Sequence, residues 1–217
     1  MVARLRPGIR VEGRLPDLSS AGWLLLANHY SRRDFKSWWI SWAVSSLIAR
    51  EVHWIMTSAL TFPDRWRSST LTPLSAWALP RLAACYGFTS MPPMPPRHQD
   101  VEARAHAVRQ VLKYIFRTRD PLVGLTPEGG DSPDGGLQPL WPGAGRFLQL
   151  LAHSGLRFLP IGVYESDDQL CVNIGEPFVP PLPSRRSAEE QDTETEQVVM
   201  HQLAACLPVD LRGSFAS

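Results

Sequence analysis

Two short, uncharged runs constrain this chain more than any other feature, because each is too short for a helix and each stops abruptly at polar residues. One spans 23–28 and gives way to His29-Tyr30-Ser31-Arg32-Arg33-Asp34; the other, Leu122 to Thr126, gives way to Pro127-Glu128-Gly129-Gly130-Asp131-Ser132. Runs of this length read as strands buried on both faces, the habit of inner strands in a parallel sheet. Ligands in such folds collect beyond the carboxyl ends of the strands. Both polar clusters are therefore expected at one sheet edge, composing a single site.

The remaining chain alternates in the same way. After a mixed lead-in, 1–20, in which Val11 to Gly13 suits a short strand, the pattern predicts a helix over 35–50 closed by Arg50 and a strand from Val52 to Ser58. Thr61 to Pro73 is rich in turn residues, Leu74 to Tyr86 has helical apolar spacing despite Pro80, and Gly87 to Met91 suits a short strand. Prolines between Met91 and Arg97 make a stiff, extended loop. Val101, Ala105, Val108, Leu112 and Ile115 recur at three and four residues, which predicts an amphipathic helix from Asp100 to Arg117. A helix over 143–154, strands over 158–164 and 171–175, a solvated linker over 180–192 and a helix over 194–206 complete the order. The fold class expected is α/β: one domain, 1–217, with a mixed, largely parallel central sheet flanked by helices.

Composition narrows the function classes. Twenty-two Lys and Arg against 21 Asp and Glu leave a formal charge of +1, so no overall basic excess points to a nucleic-acid partner. Cys85, Cys171 and Cys206 are odd in number and far apart, which suits neither a disulfide framework nor a zinc site, and buried apolar cysteines in a cytoplasmic setting are expected. No signal-peptide pattern precedes Trp23, and the uncharged run from Ser37 to Ala49 falls short of the ~20 residues of a membrane-spanning helix. Of the eight tryptophans, most are expected to fill the core, yet Trp38, Trp39 and Trp42 on one helix also suit the wet edge of a bilayer.

His29 and Asp34 are the first candidates for chemistry. A histidine acting as general base needs an acceptor on its second ring nitrogen, and a carboxylate five residues on supplies one if the backbone turns back. The same residues also fit a helix start, with Ser31 as cap and Asp34 reaching back to it. Other patterns fail: Gly130-Asp131-Ser132-Pro133-Asp134 lacks the last glycine of a nucleophile elbow, Gly143-Ala144-Gly145-Arg146-Phe147-Leu148 lacks that of a dinucleotide fingerprint, and there is no phosphate loop or H-E-x-x-H. His98 and His106 read as surface residues.

From Trp23 to Phe215 the chain resembles the glycerolipid acyltransferases typified by lysophosphatidic acid acyltransferase. Asn28-His29 with Asp34 is similar to that family's N-H-x-x-x-x-D, and Pro127-Glu128-Gly129 to its P-E-G. Gly143 to Ala152 looks like the helix start that follows, and Leu159-Pro160-Ile161-Gly162-Val163 like V-P-V. Ile174-Gly175-Glu176-Pro177-Phe178 and Leu207-Pro208-x-x-Leu211-Arg212-Gly213-x-Phe215 match further on. The resemblance implies a glycerol-3-phosphate acyltransferase-like fold and a place in phospholipid synthesis. It also implies transfer of a fatty acyl group from acyl-CoA or acyl carrier protein, as co-substrate, to a hydroxyl of a lipid acceptor, with no other cofactor and no metal. His29 would be the base, Asp34 would hold its tautomer, and Asn28, Glu128, Gly129 and Gly130 would line the substrate site. The tetrahedral intermediate would be met by N–H groups near Gly129 and Gly130 or after Ser31.

The sequence departs from the family at two places. Where the family continues P-E-G with Thr-Arg-Ser, this chain has Gly130-Asp131-Ser132, an acid in place of a cation. The strand ending in a phosphate-binding arginine is here Gly87 to Met91, which runs into prolines with Arg97 as the nearest base. The acceptor is then expected to lack a phosphate, or Arg97 to bind it. The partners expected are an acyl thioester, a lipid acceptor and the inner face of a membrane, with no nucleic acid. The same residues also allow thioester hydrolysis, and a non-enzymatic lipid-binding homologue stands beside both.

Overall fold

A computed structural model describes residues 8–30, 38–62, 64–130, 132, 135–181 and 187–216. Among these, the strands β1 (Ile9–Gly13), β2 (Trp23–Ala27), β3 (His53–Thr57), β4 (Thr89–Met91), β5 (Leu122–Leu125), β6 (Arg157–Ser166) and β7 (Gln169–Ile174) form one sheet. Its order is β1-β7-β6-β2-β5-β3-β4. β6, β2, β5, β3 and β4 run parallel; β7 returns antiparallel to β6, and β1 runs parallel to β7. The helices are α1 (Trp38–Ser46), α2 (Arg65–Cys85), α3 (Val101–Arg117), α4 (Ala144–His153) and α5 (Ala188–Ala204). The expected α/β fold with a mixed, largely parallel sheet is the one observed.

β2 is the central strand and every one of its residues is buried, because β5 covers one side edge, β6 the other, and both faces are packed. The chain leaves β2 toward β3 on one side, and after β5 it crosses back over β2 to enter β6 on the other. That reversal makes the carboxyl end of β2, after which His29 follows, the kind of switch point at which ligands collect in such sheets.

Several boundaries differ from the sequence expectation for identifiable reasons. The turn-rich stretch before Leu74 is mostly helix: Asp64 caps α2 by accepting from the Arg67 N–H at 2.9 Å, and the helix runs through Pro73 and Pro80. Helix α1 ends at Ser46, and the Arg50 guanidinium instead donates to the carbonyls of Leu18 and Asp120. The end of the expected 180–192 linker is helical, since Ser187 and Glu190 form a reciprocal capping box that starts α5 at Ala188. Trp23 and Trp54 are buried and Trp39 is half-buried, but Trp38, Trp42, Trp66, Trp77 and Trp141 are exposed, against the expectation of a largely buried set. Cys171 and Cys206 are buried as expected, and burial pushes the Cys206 thiol up to about 11, whereas Cys85 is exposed. Among the described residues, no helix is long and apolar enough to cross a membrane.

His53 on β3 is a buried titratable group of the sheet. It stacks on Tyr114 at 4.0 Å, its Nε2 lies 2.8 Å from Thr89 Oγ1, and burial pulls its pKa below 6.5. The folded state therefore binds the proton less readily than the unfolded chain. Its contribution to stability is present above the unfolded pKa and is lost as pH falls from there toward the lower folded value. Urea midpoints measured between neutral and mildly acidic pH should fall with pH in the parent and fall less steeply in His53→Asn; equal slopes would refute this assignment.

Candidate active site

The end of β2 is tied to both neighbouring strands by side chains. Asn28 extends the pairing with β6 through its amide: Nδ2 donates to the Val163 carbonyl at 3.0 Å, and Oδ1 accepts from the Val163 N–H at 2.7 Å. The next residue is tied the other way, the His29 N–H donating to Glu128 Oε1 at 2.6 Å just beyond β5. The histidine backbone is thus fixed between two strands distant in sequence from β2, and Tyr30 beyond it is buried.

Glu128 is the centre of this arrangement. It is 2% exposed, and its second oxygen, Oε2, accepts from the Gln138 N–H at 2.9 Å. Burial pushes its carboxyl above the ordinary range, while the N–H groups of His29 and Gln138 and the nearby His29 ring pull against that. Gln138 also donates from Nε2 to Ser132 Oγ at 3.1 Å, which ties Ser132 to the residue that bonds Glu128. The C-terminal segment braces that loop from outside: the Leu137 N–H donates to the Leu211 carbonyl at 2.9 Å, and Gly213, at φ +54°, passes so close that a Cβ would stand 2.2 Å from the Leu137 carbonyl oxygen.

Helix α5 holds the next part of the same loop. Asp192 accepts from the Gly143 N–H at 2.6 Å and the Arg146 N–H at 2.8 Å, capping α4 from a distant helix, and Glu196 accepts from the Leu140 N–H at 2.8 Å. Gly145 permits the close approach, since a Cβ there would meet the Asp192 carbonyl oxygen at 2.3 Å.

The proline loop lies over the other side of the site. Arg104 Nη2 donates to the carbonyls of Pro92 and Pro93 at 3.3 and 3.1 Å, and burial draws this guanidinium below its ordinary pKa, with Asp100 acting against it. Met94 rests on the turn after Glu128, where Gly129 adopts φ +68° and donates its N–H to the Thr126 carbonyl at 3.3 Å. The Gly130 N–H makes no hydrogen bond among the described residues, and a Cβ at Gly130 would face open space. Arg97 sits beyond the loop, exposed, at the start of a single 3-10 turn.

Asn28, His29, Glu128, Gly129 and Gly130 are therefore gathered at one edge, as the two apolar runs implied. Asp34 and Asp131 lie outside the described residues. The polar atoms of Asn28 and Glu128, both expected to line the substrate site, bond to main-chain groups of Val163, His29 and Gln138. Gln138, Met94, Arg104 and Asp192 were missed. Only Asp192 left a trace in the sequence, as an acid five residues after Ser187 on what proves to be one helix.

No family model and no curated protein sequence matches the chain. Among solved structures it is similar to the crystal structure of the 1-acyl-sn-glycerophosphate (LPA) acyltransferase PlsC from Thermotoga maritima. That similarity has a TM-score of 0.48 and 16% sequence identity, covering 91% of this chain and 71% of that one.

Two substitutions probe the clamp. Glu128→Ala leaves two partly buried N–H groups without their acceptor and should cost about 2 kcal/mol in urea unfolding. Gly129→Ala should cost about 1–2 kcal/mol, because its φ is positive and its Cβ would press Met94 Cγ at 2.9 Å. A parent-like midpoint in either variant would contradict the geometry.

Proposed function

We propose that this chain is a lipid acyltransferase that works at the inner face of a membrane, moving a fatty acyl group from acyl-CoA or acyl carrier protein to a hydroxyl of a lysophospholipid or related lipid. The observation that carries the reading is the 2.6 Å bond from the His29 N–H to Glu128. It joins in space the two motifs, Asn28-His29 and Pro127-Glu128-Gly129, that each resemble the glycerolipid acyltransferases in sequence.

In this mechanism His29 accepts the proton of the acceptor hydroxyl as its oxygen attacks the thioester carbonyl. A C–O bond forms and the carbonyl oxygen becomes an oxyanion. Of the amides expected to receive it, those after Ser31 lie outside the described residues and that of Gly129 already closes a turn onto Thr126, so Gly130 is assigned as the donor. The C–S bond then breaks, and the imidazolium returns its proton to the departing thiolate, giving an ester and a free thiol. Asp34 orients the imidazole and stabilises its cation. Glu128 and Asn28 act as positioning residues, setting where His29 stands without touching substrate. Arg97 pairs with an acceptor phosphate, taking the role that a strand-end arginine has in the family.

Product analysis with acyl-CoA and a panel of acceptors tests this directly. The parent should form ester; His29→Ala, still folded by circular dichroism, should form none. Free fatty acid in place of ester would assign hydrolysis instead. Arg97→Ala should raise KM about tenfold for phosphorylated acceptors and leave unphosphorylated ones unchanged. An unchanged KM for lysophosphatidic acid would remove Arg97 from the site.

A further inference from the structure

Helix α2 is a 21-residue element with only Ala83 buried. A helix of that length in water ordinarily survives by burying an apolar face. Here Trp66, Leu74 and Trp77, spaced by eight and three residues, fall on one side of the helix, and each is more than half exposed at 69, 59 and 58%. Leu71 and Leu82 flank them and are also exposed. The C-terminal half is anchored, through Ala83, whose carbonyl accepts from the Phe88 N–H at 2.8 Å, and through Ser75, whose Oγ accepts from the Leu60 N–H at 2.9 Å.

The charge on this face has one sign. Between Arg65 and Cys85 there are three arginines and no Asp or Glu. Arg67 is paired with the capping Asp64 at 2.6 Å, whereas Arg81 lies over the Trp77 ring at 4.5 Å and Arg65 has no ion pair among the described residues. The asymmetry extends beyond the helix. From Asp64 to Arg117 eight basic residues stand against three acids, a net +5, so the rest of a chain totalling +1 carries −4. The near-neutral total hides a basic stretch about a quarter of the chain long.

Resting on the membrane-surface reading above, we propose that α2 is the membrane-docking element, lying in the interface of an anionic phospholipid bilayer. Trp66, Leu74 and Trp77 enter the headgroup boundary, and Arg65 and Arg81 reach anionic headgroups. Indole rings favour that depth, and arginine stems extend along the apolar face while their charges stay at the phosphates. The exposed leucines favour lipid over nucleic acid, which offers them no apolar partner. A second copy docking by two-fold symmetry would set the arginines of one α2 against those of the other. The placement also serves the site. The helix leads through β4 into the proline loop whose Met94 rests on Gly129, so a docked α2 holds that loop at the lipid surface.

Flotation of the full chain with phosphatidylcholine vesicles, with and without phosphatidylglycerol, tests this. The parent should float with the anionic vesicles, and less so as salt rises. Trp66→Ser with Trp77→Ser, and separately Arg65→Gln with Arg81→Gln, should each lower binding about tenfold or more. Both variants should keep the far-ultraviolet circular dichroism of the parent. Equal binding by parent and double variants, no binding by the parent, or a concentration-dependent dimer lost in the tryptophan variant would overturn the proposal. His29→Ala should float like the parent. Vesicle binding with no ester formed would therefore sink the acyltransfer reading while leaving α2 as the docking element.

Discussion

Glu128 is the constraint on which the rest of the site depends. A carboxylate taken out of water costs several kcal/mol unless its oxygens are met. Here both are met by backbone N–H groups, those of His29 and Gln138, in bonds strengthened by the charge. Burial and hydrogen bonding oppose each other on its pKa, and burial is the larger. What the fold gains is position: one side chain fixes the residue after β2, the turn after β5 and the loop toward α4 relative to one another.

The surrounding structure reads as successive support for that clamp. Asn28 ties β2 to β6 on the opposite side, so the His29 backbone is held from both directions. Leu211 and Gly213 press on Leu137, next to Gln138, and Asp192 and Glu196 hold the loop where it enters α4. Most of the motifs by which the chain resembles the acyltransferases thus have a physical part in placing one histidine. The proline loop is different. It is held by Arg104, which donates to the Pro92 and Pro93 carbonyls, and its Met94 rests on Gly129.

Where the sequence reading succeeded, the cause was local. Trp23 to Ala27 and Leu122 to Leu125 have no face to show to water, so they had to be inner strands. Val101 to Ile115 has helical spacing and forms α3, although the buried stripe is Ala107, Val111 and Ile115 and Val101 is exposed. Where it failed, a distant or competing partner was responsible. Arg50 looked like a helix end and is instead spent on the carbonyls of Leu18 and Asp120. Asp192 looked like part of a solvated linker and instead caps α4. The stretch before Leu74 looked like turns because proline and serine have low helix propensity, yet the Asp64 cap starts a helix that passes through both prolines. Most of the tryptophans were expected in the core, with Trp38, Trp39 and Trp42 also suited to a bilayer edge, and five of the eight are exposed.

Fold class and the pairing of the two polar clusters at one sheet edge followed from the amino-acid order, because the length, charge and periodicity of a segment fix whether it must be buried and on how many faces. The hydrogen-bond partners of Glu128 and Asn28 did not, because they are main-chain N–H and C=O groups that only folding brings near. The basic, aromatic surface of α2 was invisible for the same reason. Exposure is a property of what packs against a helix, and nothing in the residues of that helix states that almost nothing does.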